Sequence, residues 1–282
     1  MIVRVVFNQK GGVGKSSIVV NLAAIAASKG FRTLVVDLDP QGNSSQYLLG
    51  EKATHGHNNP VLEPNVGGFF EETLNAGNSK GLLGSALGSI LKSRDTGLEG
   101  YIHPTRYERL SVIPASPALG AMEHALQSKH KIYKLRDALK ALQNRFDWVL
   151  IDTPPAFNFY TLSALIAADR VVIPFDCDVF SQRALQTLLE NVVETRNDHH
   201  AGLEVEGIVV NQYQARATLP QQVVQQLRDE GLPVFEAMLP PSVVMKESHQ
   251  HNQPLIHYSP DHKLTQSYVA LFDQMRHGRP DA

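Results

Sequence analysis

The segment Lys10-Gly11-Gly12-Val13-Gly14-Lys15-Ser16-Ser17 carries the clearest chemistry in this chain. Glycines leave the backbone free to turn successive N–H groups toward one point, and a neighbouring lysine adds positive charge, so such a loop cradles phosphate oxygens. Lys15 is the candidate point charge on the β- and γ-phosphates. Ser16 is the candidate hydroxyl ligand for Mg2+, and Gly11, Gly12, Val13, Gly14 and Ser17 complete the cradle. The usual phosphate-loop pattern places a glycine five residues before Gly14; this chain has Gln9 there and an additional lysine, Lys10, at the start of the loop.

Three aspartates are the next candidates. Val35–Asn43 (VVDLDPQGN) and Val149–Phe157 (VLIDTPPAF) each set aspartates at the C-terminal end of an apolar run: Asp37 and Asp39 in the first, Asp152 in the second. That is the sheet edge where α/β proteins bind ligands. Carboxylates there suit phosphoryl transfer, which depends on positioning and charge neutralisation. The same aspartates would also serve as plain caps of a following turn or helix. The histidine pairs His55/His57, His199/His200 and His249/His251 lack a cysteine or carboxylate pattern around them and read as solvated side chains.

These residues need elements to hold them. Ile2–Asn8 reads as a buried strand, Ser16–Lys29 as an Ala-rich helix closed by Gly30, and Phe31–Asp37 as a second strand, which together form a βαβ unit. Apolar runs at Trp148–Ile151, Arg170–Phe175 and Val205–Val210 alternate with helical patterns at Gln182–Arg196 and Pro220–Gly231. The alternation implies an α/β fold with a doubly wound, mostly parallel sheet flanked by helices. Leu264, Tyr268, Leu271, Phe272 and Met275 share one face of a helix at Lys263–Met275, read as a core face. The chain is expected to be a single domain over 1–282, with a loop-rich, partly helical excursion at 51–100 where Gly, Asn, Ser and Pro are dense.

With strand, glycine loop and helix in this order, KGGVGKS is similar to the deviant Walker A motif of the ParA/MinD ATPases, and the aspartate segments follow in the family's order. The likeness runs from Ile2 to about Met275 and is nearest to the small, Soj-like ParA partition ATPases. It implies an ATPase with ATP and Mg2+ as cofactors, and a homodimer sandwiching two ATP molecules, with Lys10 reaching the nucleotide of the facing subunit. It also implies that Asp39 orients the attacking water, Asp37 supports the magnesium site and Asp152 is the Walker B carboxylate. Asn211 resembles the residue that hydrogen-bonds adenine, with a satisfied turn asparagine as its alternative. Met238–Ser248, including Pro240, resembles the segment that walls the base.

The branch within the family follows from what else the chain carries. Cys177 is its one cysteine, too few for the cluster of the iron-protein branch. Tyr268 is the one tyrosine beyond Tyr258, against a kinase tail. The ParA branch implies a DNA-binding ATP dimer, released when a ParB-like or cargo-adaptor partner stimulates hydrolysis, that positions DNA or another large cargo. Arg216, Arg228, Lys246 and Lys263 are the candidate phosphate contacts. Arginines common after the family's Ile-Pro are absent here, where Leu239-Pro240-Pro241-Ser242 stands. A net charge of −2 confines any DNA contact to a patch. The expected location is the cytoplasm, on the nucleoid. The alternative is a MinD-like ATPase that places division or flagellar machinery at the membrane through a C-terminal amphipathic helix.

Overall fold

The computed structural model describes residues 1–50, 62–75, 97–177 and 181–277. Its centre is built from short runs of apolar residues buried on both faces, as parallel strands covered by helices require. Ile2–Val6 (β1), Thr33–Asp37 (β2), His103–Pro104 (β3), Leu110–Ile113 (β4), Trp148–Asp152 (β5), Arg170–Asp176 (β6) and Glu204–Asn211 (β7) form a seven-stranded sheet in the order β3-β4-β2-β5-β1-β6-β7. Every neighbouring pair is parallel except the edge pair β3 and β4. The α/β, doubly wound reading holds.

Helices cover both faces. On one side lie Lys15–Ser28 (α1), Asn43–Leu49 (α2), Val243–Gln250 (α9), Leu255–Tyr258 (α10) and Lys263–His277 (α11). On the other lie Val66–Asn75 (α3), Leu119–Ser128 (α4), Lys134–Lys140 (α5), Phe159–Ala167 (α6), Ser181–Asp198 (α7) and Thr218–Asp229 (α8). α1 is buried throughout from Ile18 to Ala26, a stretch apolar but for Asn21, because the sheet, α2 and α11 enclose it. The face of α11 carrying Leu264, Tyr268, Leu271, Phe272 and Met275 is buried against this layer, as its spacing predicts. That face is thereby withdrawn from any membrane role, and no helix among the described residues is long and apolar enough to cross a membrane.

Between residues 51 and 100 the described parts are 62–75, which end in α3, and 97–100, which enter a 3-10 turn at Leu98–Tyr101. α3 is anchored through Val66, Phe69 and Phe70, with Phe70 edge-on to Tyr160 at 5.3 Å. The rest of the predicted excursion, with His55 and His57, lies outside the described residues. β3 and β4 are additional to the strands read from apolar runs.

Candidate nucleotide site

The chain leaves β1 at Val6 and enters α1 at Lys15, so the glycine loop sits at the C-terminal edge of a central strand. Gly14 caps α1 in the left-handed region, φ 91° and ψ 23°, a conformation glycine adopts without a Cβ clash. No side chain caps α1, which leaves its first-turn N–H groups and the positive end of its dipole directed at the loop. Asn8 fastens the start of the loop: its Nδ2 donates to Pro174 O at 2.7 Å, and its Oδ1 accepts from Lys10 N at 2.8 Å.

The two loop lysines point to different places. Lys15 is buried; its Nζ donates to Lys10 O at 3.1 Å, inside the curl of the loop. Burial lowers its pKa, while Asp152 and Asp39 oppose that by favouring the ammonium. The Lys10 ammonium instead leaves the cradle and bonds both oxygens of Asp176, at 2.9 and 2.8 Å, at the end of β6.

Beside the loop, Asp37 and Asp152 are register partners on β2 and β5, and both are fully buried. Asp37 accepts from Ser45 Oγ at 2.7 Å, Ser45 N at 2.8 Å and Asp39 N at 3.2 Å. Its pKa rises well above the carboxylate range, first from burial and then from Asp152. Asp152 accepts from Ser44 Oγ at 2.7 Å through Oδ2, while Oδ1 is buried with no hydrogen-bond partner. Burial pushes this carboxyl up to about 6, against the Ser16 and Ser44 hydroxyls, which favour its charged form. Asp39, one turn further on, accepts from Gln41 N at 3.0 Å and faces an open cleft.

That cleft has a volume of about 510 Å³ and is lined by the loop from Gly11 to Ser17, Asp39 and α2. A second cavity of about 560 Å³ adjoins it, lined by Asn211, Pro240, Pro241, Met245 and Lys246, and both share Gly12, Gly14, Ser17 and His249. The phosphate loop, the aspartates and the predicted base wall therefore meet in one place. Asn211 ends β7, and its Nδ2 donates to Val13 O at 2.9 Å, so the amide braces the loop. Motif reading missed Ser44 and Ser45, which fasten the buried aspartates; the adjacent hydroxyls just after the Asp39 turn were the available signal.

Of the candidate DNA contacts, Lys246 lines the second cavity, whereas Arg216, Arg228 and Lys263 line neither cavity. Arg216, Lys246 and Lys263 are exposed. Arg228 pairs with Glu236 at 2.9 Å, which offsets its charge. Among the described residues there is no group of three or more His, Cys, Asp or Glu that could hold a metal. Against the reading of the described histidine pairs as solvated, His199 meets the Tyr133 hydroxyl at 3.0 Å, His249 meets Ser17 and His251 stacks on Tyr258.

A sequence-family profile described as an AAA domain matches residues 1–205. The chromosome partitioning protein ParA of Myxococcus xanthus is 34% identical over 266 residues, covering 94% of this chain and 84% of that protein. The chain belongs to the ParA/MinD family. Within it, the sporulation initiation inhibitor protein Soj of Bacillus subtilis is 32% identical over 269 residues, covering 94% of each chain. The crystal structure of cobyrinic acid a,c-diamide synthase from Mycobacterium smegmatis, with bound ATP analogue and magnesium, superposes with a TM-score of 0.76. Its identity is 25%, over 98% of this chain and 94% of that one. This ParA/MinD member is thus a P-loop ATPase of the Soj-like kind that takes ATP with Mg2+.

Proposed function

We propose that this single-domain ParA-like ATPase pairs with a second copy when ATP is bound. The dimer binds DNA without sequence preference and positions DNA or another large cargo from the nucleoid. A ParB-like or cargo-adaptor partner stimulates hydrolysis and so resets it. The observation that carries this reading is the division of labour between the loop lysines. Lys15 lies within its own cradle, whereas Lys10 leaves the cradle for Asp176, so its charge is directed away from the phosphates that Lys15 serves. A lysine so placed suits a nucleotide held by a facing subunit.

The residues fit the cofactors. The buried, unpartnered Oδ1 of Asp152 is an acceptor lacking a donor, as expected of a carboxylate that holds Mg2+ through its water shell. Ser16 supplies the hydroxyl ligand, and Asp37 supports the site from beneath by fixing Ser45 and the Asp39 turn. Bound Mg2+ supplies charge neutralisation for the transferring phosphoryl group. Asp39 orients the attacking water, Lys15 neutralises the β- and γ-phosphates, and Gly11 to Ser17 cradle them. Asn211 and Pro240 line the base side.

Arg216, Lys246 and Lys263 are the exposed contacts for DNA phosphates, with Arg228 a weaker candidate because of Glu236. The decisive experiment is a salt titration of duplex DNA binding by the Asp39→Ala protein with ATP. If each subunit neutralises about two or three phosphates, log affinity falls with log salt at a slope of roughly −4 to −5. Replacing Arg216 or Lys246 flattens that slope by up to about two units, because each change occurs twice in a dimer. Absence of ATP-dependent binding at about 50 mM salt removes DNA as the track and favours a membrane surface instead.

A further inference from the structure

His249 stands at the junction of the two cavities. It lies in the last turn of α9, exposed at the mouth of the cleft, and lines both the phosphate half and the base half. Its Nε2 is 2.9 Å from Ser17 Oγ, the last hydroxyl of the phosphate loop. Its ring stands edge-on to Tyr47 at 4.7 Å between centroids. Tyr47 is itself buried on α2, and its hydroxyl is hydrogen-bonded to Ser248, the neighbour of His249. The imidazole is therefore held from two directions, by the loop and by the helix that also carries Ser44 and Ser45.

We propose that His249 is a nucleotide-positioning residue of this ATPase. It contacts the adenine nucleotide where the phosphate chain joins the ribose, and it orients the Ser17 hydroxyl toward the same point. The inference deepens the nucleotide site assigned above and rests on it. A phosphate cradle receives the phosphate nearest the ribose at the helix end of the loop, where Ser17 stands. A ligand spanning both cavities must pass the residues they share, and among these His249 is the one with a long polar side chain. An imidazole offers a donor or an acceptor according to tautomer, so it can serve the Ser17 hydroxyl and a nucleotide oxygen in turn.

The test is calorimetric measurement of ADP and non-hydrolysable ATP binding with Mg2+ for the full chain and its variants. Loss of one hydrogen-bonding side chain predicts about fivefold weaker binding of both nucleotides to His249→Ala. It also predicts an unchanged kcat at saturating ATP and a raised KM. His249→Gln, whose amide can still reach Ser17, is expected to recover affinity to within about twofold. In a Ser17→Ala background the His249→Ala change should cost little more, because coupled partners are non-additive. Equal affinity of His249→Ala and the parent, additive losses, or no recovery by glutamine would each overturn the proposal. Lys15→Ala separates the two levels. If it loses nucleotide while His249→Ala does not, only the histidine assignment fails; if it too keeps full affinity, the cradle assignment fails with it. Should His249→Ala not fold, the Gln variant and Ser17→Ala carry the same comparison.

Discussion

Replacing Gly14 by alanine tests the construction of the loop. At φ 91° an alanine meets the left-handed penalty, about 1–2 kcal/mol. Its Cβ would also stand 2.4 Å from Asn211 Nδ2, closer than any Cβ contact allows, so Asn211 has to leave. Its bond to Val13 O, at 2.9 Å, goes with it and costs about 1 kcal/mol more. The total of about 2–3 kcal/mol lowers Tm by roughly 5–10 °C in a chain of this size, read by thermal unfolding without nucleotide. Asn211→Ala by itself removes only the hydrogen bond, about 1 kcal/mol. Because the two residues collide, the double variant Gly14→Ala/Asn211→Ala is expected to be no less stable than Gly14→Ala, its clash being relieved. Fully additive losses would refute the reasoning, as would a Gly14→Ala protein with parental Tm. The same Asn211→Ala protein distinguishes the two roles of the amide. A brace weakens ATP and GTP binding alike, whereas an adenine contact narrows the preference for ATP.

Three further outcomes are expected. Asp39→Ala retains nucleotide binding but stalls hydrolysis and accumulates as an ATP dimer in size-exclusion light scattering; loss of nucleotide binding instead makes Asp39 structural. Lys10→Ala binds ATP as a monomer and fails to dimerise by the same method, and a stable ATP dimer in this variant contradicts a lysine acting across subunits. Asp147 pairs with Arg32 at 2.7 Å, and the hydrogen bonds from the Arg32 side chain and backbone hold its carboxyl down at about 2. A depressed acid pKa contributes stability above its unfolded value, near 4, and that contribution is lost as pH falls toward 2. Asp147→Asn should therefore be slightly less stable than the parent at neutral pH and converge with it in acid. The gap is small because the pair is well exposed and screened, and a Tm gap independent of pH contradicts the assignment.

Local signals carry as far as the residues that make them lie together in the chain. The phosphate loop was legible because the residues that define it are adjacent in the chain: glycines for the turn, Lys15 for charge, and a following helix that begins at the loop itself. The strands at Trp148–Asp152 and Arg170–Asp176 and the apolar face of α11 were legible from hydrophobic run and period, since burial on both strand faces or along one helix face writes itself into the sequence. β4 was not read as a strand: its run Leu110–Ile113 is short, and its pairing with β2 and β3 makes it one.

What the tertiary structure alone decided is the company these residues keep. Asp152 meets Ser44, 108 positions away in sequence, Asn211 meets Val13, 198 away, and Ser17 meets His249, 232 away. The destination of the Lys10 ammonium, on Asp176 and not on its own cradle, is likewise absent from any motif. A hydrogen bond depends on distances of a few tenths of an ångström between elements brought together by packing of the whole core. Spacing along a chain encodes helix and strand faces, but says nothing of which loops the crossovers of a doubly wound sheet carry to the same edge.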